Sequence, residues 1–309
     1  MKQTENGISW GHRLAALVAV AAFSTIILGT LVASNAAMTL IPSQAGVESF
    51  KWSLLSGGVK YEPAYRILAA TSGLLAAGLA VSLWGCGAEL HIRILGLANA
   101  AVGAIQVFLS GIPGSAGRPL VTGLVLTSAA EIFFALSTSL ALFTRTDWNW
   151  SEPKVADVAT PSLRSLLVFT TAATGIASTL GTLTRPSVFP HLLTGCIVTL
   201  ASLWAVEIAL NKFSDVPGVK IPAILLAELA GLQLFLGIVT HSMELNARAS
   251  ALPMPGLIVI KTTHAAVGSL VLISSLFATF QAFKYLAPRS AKPAVSLPVE
   301  AEVEACDPK

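Results

Sequence analysis

Histidine is the residue type in this sequence best able to hold a metal or move a proton, and five are present: His12, His91, His191, His241 and His264. Each lies in or beside a long apolar stretch, where a ligand-type side chain is costly and marks function by default. His191 follows Pro190 at the start of one such stretch, and His264 stands seven residues after Leu257 in another, about 10 Å along a helix. In the topology argued below, both stretches run from the outer to the inner face, which puts both imidazoles in the outer half of a bilayer. Facing helices that each present an imidazole at similar depth can fill both axial positions of a haem iron. Gly195 and Gly268, each four residues after its histidine, would let a porphyrin approach the backbone. A hydrogen-bonded contact between helices is the other reading of such a pair, and spacing alone leaves both open.

The remaining polar residues of the apolar stretches make a short list. Glu62 precedes Pro63, which suits a carboxylate at a positive helix N-terminus with proline in the first helical position. Glu131 comes one turn after Thr127, facing either a cavity of the first half of the chain or a partner helix. Glu228 reads as an interhelical group bonded to Ser or Thr. His241 is either an ordinary interfacial residue or a contact for a haem propionate. Arg66, Arg185 and Arg248 suit propionates or lipid headgroups. Cys86, Cys196 and Cys306 lie far apart, without CxxC or zinc spacing.

The elements that must position these residues follow from composition. Of 309 residues, 54% are hydrophobic and 11% charged, with a mean hydropathy of +0.74, against about 25% charged in soluble domains. The apolar residues arrive in blocks of about 20, the length that crosses hydrocarbon. Eight helices are expected, near 12–34, 63–84, 91–112, 120–143, 162–184, 191–211, 221–241 and 257–286: an all-α integral membrane fold. The first apolar run, Leu14 to Ala33, is longer than a signal-peptide core of about 7 to 15 residues, so it reads as a retained span.

Lys and Arg fall twelve on the N-terminal side and seven opposite, which predicts a plasma-membrane protein with both termini cytoplasmic. No basic run suggests nucleic acid. Ser34 to Glu62 and Ser242 to Gly256 are the longest expected outer loops. Residues 289–309 are Pro-rich and acidic and read as a disordered tail.

An internal repeat is visible. ILGTLVASN ends the first helix, TLGTLTRPS the fifth and FLGIVTHSM the seventh, with a weaker copy at Asn99 to Gly103 in the third beside Gln233 to Gly237. The polar linker Asp147 to Pro161 divides the chain into four-helix halves, 1–150 and 151–288. Four is even, so the halves run the same way, with a pseudo-twofold axis along the membrane normal. Taken singly, Gly29, Gly103, Gly181 and Gly237 need mean only close helix packing.

On these residues the chain resembles the haem A synthases, eight-helix cytochrome oxidase assembly proteins that convert haem O to haem A. The resemblance spans nearly the whole membrane region. It rests on the W-x-x-R-x-A pattern of Trp10 to Ala15, the LGTLV end of helix one and a Glu-x-x-aromatic-Arg segment at Glu62 to Arg66. It also rests on Gln233 to Gly237, and on a His opening helix six paired with His264. It implies haem b on His191 and His264, and a substrate site for haem O in the N-terminal half with Glu62 as its acid and Tyr65 and Arg66 in the pocket. It also implies a haem O synthase and an electron donor as partners, with a possible homo-oligomer. Two departures stand out. Tyr65 occupies the place of the family's histidine in Glu-x-x-His-Arg, and its second N-terminal histidine falls near Leu126 or Thr127. The loop Ser34 to Glu62 lacks the cysteine pair of many members. The activity so implied is oxidation of the haem O ring methyl to formyl; the alternative is a non-catalytic b-type cytochrome or haem-handling assembly factor.

Overall fold

The protein is described by a computed structural model, which covers residues 2–39, 58–111, 120–151, 153–183, 187–250 and 255–288. It is all-α. The helices are α1 (Lys2–Thr39), α2 (Gly58–Gly85), α3 (Leu90–Gly111), α4 (Leu120–Phe143), α5 (Leu163–Gly181), α6 (Phe189–Lys212), α7 (Pro217–Ser250) and α8 (Pro255–Tyr285). All eight are long and apolar enough to cross a membrane. Hydrocarbon offers no partner to a backbone N–H or C=O, so each segment must satisfy its own, and helices do so internally. Serine and threonine side chains follow the same rule by bonding back one turn, as Thr25 does to Ala21 O at 2.8 Å and Ser202 to Val198 O at 2.7 Å.

Several expected boundaries are corrected. α1 begins ten residues before the expected start at residue 12, and α7 continues nine residues past the expected end at residue 241. Hydropathy marks where a helix meets water, whereas the helix itself stops only at a breaker, and none follows Gly237 until Pro253. Most of the expected loop Ser242 to Gly256 is therefore helix. α2 also starts early, at Gly58, so Pro63 lies inside it and Glu62 is not at a helix N-terminus. The tail 289–309, Arg185 and most of the loop Ser34 to Glu62 lie outside the described residues.

Neighbouring helices close into two rings: α1 packs on α2, α2 on α3, α3 on α4 and α4 on α1, and α5 to α8 repeat that order. The halves meet through α8 against α1 and α4, and through α4 against α5. Leu79, Leu83, Phe133 and Leu140 centre the first core; Leu163, Leu167, Leu226 and Phe213 centre the second. On the α4–α8 seam, Phe143 meets Phe280 at 4.9 Å between ring centres.

The linker between halves is pinned rather than loose. Its β1 (Val155–Ala156) pairs in parallel with β2 (Leu286–Ala287), directly after α8. Asp157 is fully buried and accepts hydrogen bonds from the backbone N–H of Leu163 (3.2 Å) and Arg164 (3.1 Å), while Ser162 Oγ accepts from Ser165 N at 3.2 Å. These groups satisfy the open N-terminus of α5. Trp148 packs against Phe143 at 5.8 Å, and the Lys284 ammonium stands 4.9 Å over the Trp148 ring. Nearby, hydrogen bonds from Arg145 hold the Asp147 carboxyl below its ordinary value. That contact adds stability at neutral pH and loses it as acid protonates Asp147, but both groups are exposed, so solvent screens it.

Candidate functional site

Four glycines of the sequence repeat do one job in the structure: each gives a ring on the next helix a flat place to rest. A Cβ on Gly181 of α5 would stand 3.3 Å from His191 Cε1 of α6, and one on Gly237 of α7 would stand 3.2 Å from His264 Cε1 of α8. In the first half, Gly29 of α1 backs Tyr65 of α2 at 3.1 Å, and Gly103 of α3 backs Phe133 of α4 at 3.0 Å. Glycine repeats usually mean only that helices approach closely. Here the approach is helix backbone to aromatic ring, and two of the four rings are the imidazoles singled out by type.

His191 and His264 face each other. Their ring centres are 6.0 Å apart with planes at 89°. His191 Nδ1 donates to the carbonyl of Ala177 on α5 at 2.9 Å, which fixes the ring and leaves Nε2 for a ligand. On His264, Nε2 lies 3.4 Å from the Gln233 amide nitrogen, while Nδ1 is buried without a partner, as is Gln233 Oε1. Metal–imidazole bonds of about 2 Å, plus about 1.2 Å from each nitrogen to its ring centre, separate the centres of two axial imidazoles by about 6.4 Å, close to the observed 6.0 Å. Donor type, separation and the anchored ring on His191 suit a bis-imidazole haem iron, whereas the Gln233 amide against His264 Nε2 occupies the nitrogen that would ligate and would have to move aside. Gly195 faces open space, as a close porphyrin requires, whereas the space beside Gly268 is filled by Gln233, 2.8 Å from an added Cβ. Among the described residues no group of three or more His, Cys, Asp or Glu is placed to hold a bare metal ion.

Replacing Gly237 by valine puts a branched side chain against His264. Overpacking of this kind costs about 1 to 3 kcal/mol and displaces the ring. The variant is expected to retain less than about a tenth of wild-type bound haem, measured by reduced-minus-oxidised absorbance per protein. Gly78→Val, whose Cβ meets nothing within 4 Å, is the control and should match wild type.

Among the described residues, the N-terminal half holds no second imidazole of this kind. Tyr65 is buried. Arg66 donates to Glu62 at 2.6 Å, one turn apart on α2 and partly buried. Glu62, Tyr65 and Arg66 are thus brought together on one turn, with the guanidinium already engaged by the acid. The ring against Gly103 is Phe133, not a residue near Leu126 or Thr127.

Glu131 settles between halves rather than in an N-terminal cavity: its Oε1 accepts from Ser178 of α5 (3.1 Å) and Ser269 of α8 (2.7 Å). Glu228 is exposed on α7 and, among the described residues, bonds to no Ser or Thr, so within one chain it makes no interhelical contact. His241 lies one turn beyond Gly237 and half-buried, so it shares the helix face that backs His264. The side chain of Arg248 lies outside the described residues. Cys86 and Cys196 are free thiols.

Sequence reasoning did not reach Ala177, whose carbonyl carries no residue-type signal, or the capping role of His12, whose Nδ1 donates to Ala141 O at 2.8 Å near the end of α4. A groove lined by His12, Leu142, Arg145, Phe277 and Phe280 opens at that opposite end of the bundle.

Fold and site define a polytopic, all-helical membrane protein with a facing histidine pair between α6 and α8. Compared with known proteins, the sequence matches no family model and no curated protein.

Proposed function

We propose that the protein binds haem b on His191 and His264 and acts as a membrane oxidoreductase similar to the haem A synthases, carrying the ring methyl of haem O to formyl with the oxidant and the oxygen atom supplied from outside the protein. The 6.0 Å facing imidazole pair, with His191 anchored through Nδ1, is the observation that carries this reading. Bound there, the haem supplies a one-electron relay. The protein's own residues then have distinct tasks. The Ala177 carbonyl sets the tautomer and ring angle of His191, and Gly181 and Gly237 fix both rings against their helices. His241 and Arg66 are candidates for propionates, which form bidentate pairs with a guanidinium. In the N-terminal half, Glu62 is the acid that moves protons during methyl oxidation, and Tyr65 and Arg66 line the haem O pocket. The partners this reading implies are a haem O synthase and an electron donor, with the plasma membrane as the location and both termini cytoplasmic.

A second reading has its own support. The rings seated in the N-terminal half are Tyr65 and Phe133, neither of which is an imidazole, and this favours a b-type cytochrome or haem-handling assembly factor that keeps only the C-terminal site. Coexpression with a haem O synthase, followed by mass analysis of extracted haems, separates the two. Formyl or hydroxymethyl haem is the expected product. Haem b alone, with a bis-imidazole spectrum, leaves the cytochrome and ends the enzyme.

A further inference from the structure

The 23 residues of α7 between Lys220 and Glu244 contain one charged side chain, Glu228. Glu244 is ion-paired with Lys261 of α8 and, in the proposed topology, stands near the outer boundary. Glu228 lies eight residues from Lys220 and sixteen from Glu244, about 12 Å and about 24 Å of helical rise. Its side chain is too short to snorkel to either boundary. It is exposed, and among the described residues it makes no hydrogen bond or ion pair.

The surrounding face is self-complementary. Ile221, Leu225, Leu232 and Phe235 are exposed with Glu228, and their spacings of four, three, four and three form a heptad seam. A Cβ on nearby Gly231 would meet nothing within 4 Å, so a second helix can approach. The apolar members alone would mean only contact with lipid. The carboxyl changes this, because hydrocarbon gives it no hydrogen-bond partner and a polar group in such a seam sets partner and register.

We propose that a second copy of the chain covers this stripe, α7 packing in parallel on α7 about a twofold axis along the membrane normal. Isologous pairing brings the two Glu228 carboxyls to one depth, where they share a proton in a hydrogen bond between them. The interface needs no haem and stands apart from the proposed activity.

The test uses the full chain, with its bound cofactors, in lipid bilayers at several protein-to-lipid ratios, its association read by fluorescence energy transfer. Wild type is expected to dimerise. Glu228→Leu, which suits lipid better and spares folding, should weaken association roughly tenfold; Glu228→Gln, which keeps a hydrogen-bonding group, should stay within about threefold of wild type. In a background with Cys86, Cys196 and Cys306 replaced, Leu232→Cys should cross-link between copies and Ile105→Cys on α3 should not. A monomer at every ratio, association indifferent to Glu228→Leu, or cross-linking through α3 instead would each overturn the proposal.

Discussion

His264→Ala is expected to strip haem from the protein, lowering affinity more than about 100-fold, since even outer partners of metal ligands are worth about 10- to 100-fold. His191→Ala should do the same. The two ring centres are 6.0 Å apart, and in the proposed site each ring fills one axial position, so either loss leaves one empty. Folding should survive, because both residues are only partly buried and neither belongs to a hydrophobic core. The measurement is the absorbance spectrum of purified protein with haem quantified per chain, alongside a thermal melt. Tyr65→Phe, which keeps the ring against Gly29, should leave haem b content unchanged. If the pair were only an interhelical contact, alanine would lower the melting temperature and change no spectrum. That outcome removes the haem reading altogether.

The second large effect is on stability and falls far from the histidines. Asp157→Ala should cost about 3 kcal/mol, because a buried carboxylate that accepts two backbone N–H groups is lost and both donors stay buried. Asp157→Asn retains one side-chain oxygen and should cost roughly half as much. Ser162→Ala, on the same helix end, should cost about 1 kcal/mol. Denaturant or thermal unfolding in detergent micelles ranks the three. Equal effects for Asp157→Ala and Ser162→Ala would mean that the linker does not hold α5. The consequence reaches function, since α5 carries Ala177 and Gly181, which orient His191.

How much was legible in the sequence depended on how local the signal was. Eight spans could be read from apolar block length, because bilayer thickness sets it and no tertiary contact is required. The ends of α1 and α7 could not, since hydropathy locates water rather than the last helical hydrogen bond. Glu62 illustrates a local rule overridden: Glu-Pro resembles a helix start, yet α2 begins at Gly58 and the acid pairs with Arg66 instead. Glu131 and Glu228 were indistinguishable as single carboxylates in apolar runs. Only packing separates them, one bonded to two serines across the halves and the other facing outward.

The sequence by itself determined the solvent, the helix count and the residue types available for chemistry, because charge scarcity and block length act through the bilayer and not through partners. It also displayed the recurring glycines, but not their purpose. The tertiary structure decided that these glycines seat rings, that two of those rings are His191 and His264 at 6.0 Å, and that their counterparts are Tyr65 and Phe133. Ring-to-ring distance depends on how helices far apart in the chain pack against each other. No spacing within one helix encodes it.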